Sequence, residues 1–353
     1  METIKLHSIK THLGEYWFCP RNNPTQNTFL YTPKHQIYHL DMDFELRQCG
    51  FFSKEAKSGF GSKISFHPFL HEVAFVMNDV AYVPYTPKGC GSLAKGDFAG
   101  NILWKREGKF STVLFSRDGA KIWAAENLDN EYLKLSVFDS QSGDILASKA
   151  FDDEMFQSDL RLSDIPWSDD VTLKLGAGQD GIMVYALGNE AATITMCEMF
   201  PSTSCITPAW HPEGKKLLTL ENDEHRYYQY SWPEPAVLAR QEDVDFEDDD
   251  DNIRPGYGLV FLRDGLAVTQ SATYRLFLFD PDKMERIAEI VIPGFEPMPT
   301  NVVFPRLKDD TAPYSLITYF SRVGNIFIAR TGKETKTQAV FLFDISRFTD
   351  NQE

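Results

Sequence analysis

The sequence predicts an all-β fold, a β-propeller of about seven blades forming a single domain over residues 1–353. Three observations lead there. An apolar anchor followed by a turn recurs along the chain, as Phe66-His-Pro, Phe115-Ser-Arg-Asp-Gly, Leu175-Gly-Ala-Gly-Gln-Asp-Gly, Trp210-His-Pro-Glu-Gly, Phe261-Leu-Arg-Asp-Gly and Phe304-Pro-Arg. A second anchor, aromatic then aspartate, ends an alternating apolar run in Val137-Phe-Asp, Phe277-Leu-Phe-Asp and Phe341-Leu-Phe-Asp. Finally, a chain of 353 residues holds seven repeats of roughly 50 residues, the size of a propeller blade.

Taken in order along the chain, each anchor has a local reason. The Asp-Gly and Glu-Gly pairs mark tight turns, where glycine supplies positive φ between an innermost strand and the next one out. Phe29-Leu-Tyr and Ile37-Tyr-His-Leu leave room for a first blade ahead of Phe66. The outermost strands read Ile145-Leu-Ala-Ser-Lys-Ala-Phe and Ile287-Ala-Glu-Ile-Val-Ile. The run Ala339 to Ile345 reads as a third strand with no fourth after it, which leaves an edge to be covered. Ile4-Lys-Leu-His-Ser-Ile-Lys-Thr-His has the two-residue alternation of an outer strand, so residues 1–12 are expected to complete the last blade and close the ring.

Phe115 to Gly143, and more weakly Pro208 to Trp232 and Leu259 to Asp280, resemble the WD40-like and YVTN propeller repeats. In those units an Asp-Gly turn leads through an aromatic-rich second strand to a third strand ending in aspartate. Phe-Asp stands here where a WD40 repeat carries Trp-Asp, and no Gly-His pair is present. The resemblance implies a scaffold that hosts unrelated functions, so function must be argued from sites.

Composition limits the function classes. Hydrophobic residues make up 42 % of the chain, and no apolar run reaches the roughly 18 residues of a membrane helix. Met1-Glu-Thr-Ile-Lys-Leu-His lacks the basic start and apolar stretch of a signal peptide. Cys19, Cys49, Cys90, Cys197 and Cys205 are odd in number and irregularly spaced, which points to free thiols in a reducing cytoplasm. The formal net charge of −16 argues against nucleic acid or an anionic membrane, since phosphate binding needs clustered Lys and Arg.

The acidic residues are concentrated in four segments. Glu126-Asn-Leu-Asp-Asn-Glu and Glu221-Asn-Asp-Glu-His-Arg are expected between second and third strands, Asp152-Asp-Glu and Glu242 to Asp251 between blades, and these loops emerge on one face of a propeller. An acidic loop over residues 242–254 is the largest. Three uses are open: solvation, docking of a basic protein, or a divalent cation. The docking reading names Glu126, Asp129, Glu131, Asp223, Glu224, Asp248, Asp249, Asp250 and Asp251, with a monomeric module that masks or scaffolds a basic partner in the manner of an immunity protein. No metal or cofactor is expected, because the run at 242–251 lacks the glycine and terminal glutamate of an EF-hand loop.

Other motifs are weighed and set aside. His35 with His39, and His67 with His71, are four apart, a ligand spacing for a helix; His67 and His211 sit in equivalent His-Pro positions that suit a turn or packing role. Gly89-Cys-Gly-Ser-Leu-Ala matches a phosphate loop only as text. Trp210-His-Pro-Glu-Gly-Lys-Lys-Leu-Leu-Thr-Leu-Glu-Asn is similar to a segment of propeller lactonases of the 6-phosphogluconolactonase type, which implies Glu221 as the acid of an alternative, catalytic reading. The Gly-Pro-Arg-His that precedes the motif in those enzymes is replaced by Cys205-Ile-Thr-Pro-Ala.

Overall fold

A computed structural model describes residues 2–5, 10–13, 17–18, 28–41, 45–56, 63–79, 90–128, 132–152, 161–165, 171–176, 182–190, 193–198, 209–211, 214–221, 226–232, 234, 236–241, 255–262, 265–271, 275–291, 319–320, 326–331 and 339–344. The described residues are all-β, arranged in six sheets, none of which closes on itself. They fall into two compact units, Tyr16–Ser204 and the pair of segments Met1–Glu15 and Cys205–Glu353. The chain begins with β1 (Glu2–Lys5) and β2 (Lys10–Leu13), which belong to the second of these units.

In the unit Tyr16–Ser204, β3 (Trp17–Phe18), β4 (Thr28–Tyr31), β5 (Gln36–Leu40) and β6 (Leu46–Phe51) form a four-stranded sheet in chain order. Next come β7 (Ile64–Phe66), β8 (Glu72–Val76), β9 (Gly91–Asp97), β10 (Ile102–Phe115), β11 (Lys121–Asn127), β12 (Tyr132–Asp139) and β13 (Ile145–Asp152). They join in one seven-stranded sheet because β10, 14 residues long, pairs with β9 along its first half and with β11 along its second. The third sheet of this unit, β14 (Arg161–Asp164), β15 (Val171–Gly176), β16 (Ile182–Glu190) and β17 (Thr193–Glu198), is again four-stranded and antiparallel.

The other unit repeats the pattern with β18 (Ala209–Trp210), β19 (Lys216–Glu221), β20 (Arg226–Ser231) and β21 (Val237–Arg240). It continues with β22 (Pro255–Phe261), β23 (Ala267–Ser271), β24 (Leu276–Asp280) and β25 (Glu285–Val291), to which β1 adds as a fifth strand, parallel to β25. In the last sheet, β26 (Tyr319–Phe320), β27 (Ile326–Thr331) and β28 (Ala339–Asp344) are followed by β2, antiparallel to β28 with Lys10 beside Leu342 and Leu13 beside Ala339. The expected single outer strand over residues 1–12 is therefore two strands on two sheets.

The anchors are placed by burial. Phe66, Phe115, Trp210 and Phe261 each end a first strand and are buried. Leu175 does not: it lies in the second strand β15, and the corresponding first strand is β14, closed by the buried Leu162 and Ile165. With that correction the first strands that carry these anchors, from β7 to β22, end at 66, 115, 164, 210 and 261, a more even spacing than the anchors themselves, while β3 ends at 18 and β26 at 320. Phe304 lies outside the described residues.

The turns follow from sequence chemistry. Asp139 and Asp280, the aspartates that end third strands, accept backbone N–H groups two and three residues on, from Gln141 and Ser142 and from Asp282 and Lys283. The turn after Asp139 is completed by Gly143 at φ +71°; its counterpart in the next unit is Met284 at φ 56°.

Candidate functional site

Of the residues named as an acidic docking face, Glu126 is described, and it lies within β11 rather than in a loop. Its Oε1 accepts the backbone N–H of Lys109 at 3.2 Å, and its Oε2 is 3.7 Å from the Lys134 ammonium. The reason is local. Pairing of β10 shifts register between Arg106 and Phe110 on one side and between Phe110 and Thr112 on the other, where the strand passes from one set of partners to the next. Such a bulge leaves ladder groups unpaired, and Glu126 satisfies one of them. Gly108 lies beside it so closely that a Cβ there would meet Glu126 Oε1 at 2.5 Å and the Phe110 ring at 2.6 Å. Asp129, Glu131, Asp223, Glu224 and Asp248, Asp249, Asp250 and Asp251 lie outside the described residues. Glu221 ends β19, in register with Arg226 of β20.

The histidines are resolved by their neighbours. His67 packs against Phe115, ring centroids 5.1 Å apart, and a Cβ on Gly119 would collide with its imidazole. His211 stands in the same relation to Phe261, again 5.1 Å, and to Gly265, where an added Cβ would lie 2.9 Å from Nε2. Each His-Pro imidazole thus rests on the first-strand aromatic of the following repeat and on the glycine four residues later. His67 Nδ1 also accepts the N–H groups of Phe69 and Leu70, both at 3.0 Å. His39 and His71, which the sequence spacing pairs with His35 and His67, instead approach one another across Phe29, 5.5 and 6.2 Å from its ring. Burial lowers the His39 pKa, Asp41 raises it, and His71 and Arg47 lower it further. Among the described residues, no three His, Cys, Asp or Glu side chains gather as a metal site.

Gly91, from the segment that matches a phosphate loop as text, is a strand residue. It starts β9, where a Cβ would strike the carbonyl of Met77, so glycine serves close strand packing there.

Carboxylates elsewhere are bound by their own molecule. Asp79 is pushed by burial toward the neutral form, but the Lys105 ammonium at 2.8 Å and the Ser92 N–H at 2.9 Å outweigh this and hold its pKa at about 2. Asp282 takes the Lys216 ammonium at 2.6 Å and Gln229 Nε2 at 3.2 Å. Arg106 donates to the Gly143 carbonyl at 2.6 Å and pairs with Asp144 at 2.8 Å, while Lys95, almost fully buried, reaches Glu72 and the Ser140 carbonyl. The bonds of Asp282, of Arg106 and of Lys95 to the Ser140 carbonyl fasten neighbouring repeats, whereas Asp79–Lys105 and Lys95–Glu72 lie within one.

Composition and spacing gave no sign of one surface feature. Phe51, Phe69 and Leu70 are each about half exposed; Phe51 lies against Gly100 in the turn after β9, its N–H donates to the Phe98 carbonyl, and Phe98 N–H donates to the carbonyl of His71, the residue after Leu70. Single exposed apolar residues carry little signal in sequence, because only packing brings them together. No helix among the described residues is long and apolar enough to cross a membrane. Comparison with family models and with curated proteins returns no match to this chain.

Proposed function

We propose that the chain is a seven-bladed β-propeller that works in the cytoplasm as a non-catalytic binding module, using acidic loops to dock a basic protein as an inhibitor of immunity type or as a scaffold. The architecture is supported by repetition. Divided at β10, the seven-stranded sheet supplies two four-stranded repeats; β3–β6, β14–β17, β18–β21, β22–β25 and β26–β28 with β2 supply five more. The resemblance of Phe115 to Gly143 to WD40-like repeats agrees with this, and an odd number of irregularly spaced cysteines suits a reducing compartment.

The observation that carries the functional reading is charge: 51 Asp and Glu against 35 Lys and Arg, with acid concentrated in Glu126 to Glu131, Glu221 to Glu224 and Glu242 to Asp251. A clustered negative potential accelerates association with a cationic protein and makes that rate depend on salt. Glu126 contributes to the fold at the β10 bulge and is left intact in the test. Neutralising Asp129, Glu131, Asp223, Glu224 and Asp248 to Asp251 together should slow association with a partner isolated from the native host several-fold at low salt, with little change at high salt. A rate and salt slope equal to those of the unmodified chain would reject the reading.

A further inference from the structure

We propose that the outer edge of β25 is a docking site for an extended segment of a partner protein bearing a basic residue followed by an apolar one, and that β1 is the chain's own displaceable cover for it. Only the basic character of the docked segment rests on the function proposed above.

The sheet β22–β25 is complete without β1: four antiparallel strands, with Leu276, Phe277, Leu278 and Phe279 of β24 all buried. β1 is added outside it and is held differently. It is four residues long, and its pairing with β25 is the one parallel pairing among the described named strands. Thr3 is exposed and Ile4 half-buried, so one partly covered isoleucine is the apolar contribution those two residues make. Parallel ladders are slightly weaker per residue than antiparallel ones, and burial rather than pairing supplies most of a strand's stability. Over Thr3 and Ile4 the strand is thus held mainly by its backbone. Backbone pairing is tolerant of sequence, which is why a sheet edge accepts an added strand from another protein.

The register states what such a strand needs. Thr3 lies beside Glu289 and Ile4 beside Ile290. Ile290 is buried, which favours an apolar neighbour at the second position. Glu289, paired through Oε1 with Arg275, offers a carboxylate beside the first, where the chain's own threonine brings no charge. A lysine or arginine there gains an attraction that β1 lacks, and the net charge of −16 draws cationic segments generally. A cover in cis reduces the apparent affinity for an incoming strand by the fraction of time the edge is open.

The test uses the full chain, its Ile4→Asp variant and fluorescein-labelled peptides with the sequence of Met1 to Leu6, unaltered or with Thr3→Lys. The expected result is that both peptides bind, that the variant chain binds each roughly tenfold more tightly because its own cover is weakened, and that the Thr3→Lys peptide gains an affinity that salt removes. Absence of binding to the Ile4→Asp chain, or equal affinity of the two chains, overturns the docking edge. If the unaltered peptide binds and Thr3→Lys binds no better, the basic preference is overturned, whatever becomes of the acidic loops. Hydrogen exchange on the unmodified full chain gives a reading independent of the variant's folding. The amides of β1 should exchange roughly a hundredfold faster than those of Leu276 to Phe279, and comparable protection overturns the displaceable cover.

Discussion

Gly119 and Gly265 do the same work in two repeats, each in a left-handed conformation and each beneath a histidine from the preceding repeat. Alanine at either position adds backbone strain at φ +75° or +86° and a clash with a buried imidazole. The expected loss is about 2–4 kcal/mol for each of Gly119→Ala and Gly265→Ala, measured by urea unfolding; a loss below about 1 kcal/mol would mean the histidines are not packed as described. Asp79 gives a pH-dependent counterpart. Its folded pKa, about 2, lies below the ordinary 3.8, so its contribution is present above about pH 4 and disappears as pH falls from there through about 2. The stability difference between the unmodified chain and Asp79→Asn should accordingly shrink when urea titrations at pH 5 are repeated at pH 3. Glu221 tests the catalytic alternative. Under the binding reading, sugar lactones should open no faster with the chain than with its Glu221→Ala variant, both compared with enzyme-free controls.

Strands near the start of the chain show how differently two short elements can be held. β2 supplies the fourth strand of the sheet β26–β28, whereas β1 is a fifth strand on a sheet already complete. Removing residues 2–5 should therefore lower stability by less than about 2 kcal/mol, within the range of a single partly buried aliphatic side chain. Removing residues 2–13 uncovers β28 as well and should cause aggregation or a large fall in Tm. Equal melting temperatures for the two deletions would contradict this ranking. β10 shows the opposite economy, since one strand serves two sets of partners and its bulge is held by a carboxylate that charge patterning alone places in a solvated loop.

Across the whole molecule the excess of acid sets colloidal behaviour independently of any partner. The sequence isoelectric point is about 5.0, where the self-repulsion that keeps copies apart vanishes. Light scattering should find the chain least soluble and most associated near pH 5 and dispersed at pH 7. Salt should promote association at pH 7 by screening, and a chain that becomes more dispersed as pH falls from 7 to 5 would contradict the argument.

Several features were legible in sequence because each is a short-range property of the chain. The third strands end at Asp139, Asp280 and Asp344, as the aromatic-aspartate pairs indicate, and Asp139 and Asp280 cap their own turns through bonds two and three residues away. The His-Pro positions were likewise recognisable as turns, although their packing partners lie about 50 residues on. The Leu175 anchor misled because Asp-Gly marks a turn without saying which two strands it joins; burial of Leu162 and Ile165 identifies the first strand instead. The acidic positions were chosen by charge, and charge does not distinguish a solvated carboxylate from Glu126, whose oxygens are committed to Lys109 and Lys134. The sequence by itself determined strands, turns and net charge, since alternation, glycine and aspartate act within a few residues. That a segment near the start of the chain completes the sheet of β28 was also legible, from its alternation and from the uncovered edge, whereas tertiary structure alone decided that β10 joins two repeats and that β1 lies parallel on a second sheet, because register between distant segments is set by which faces bury together.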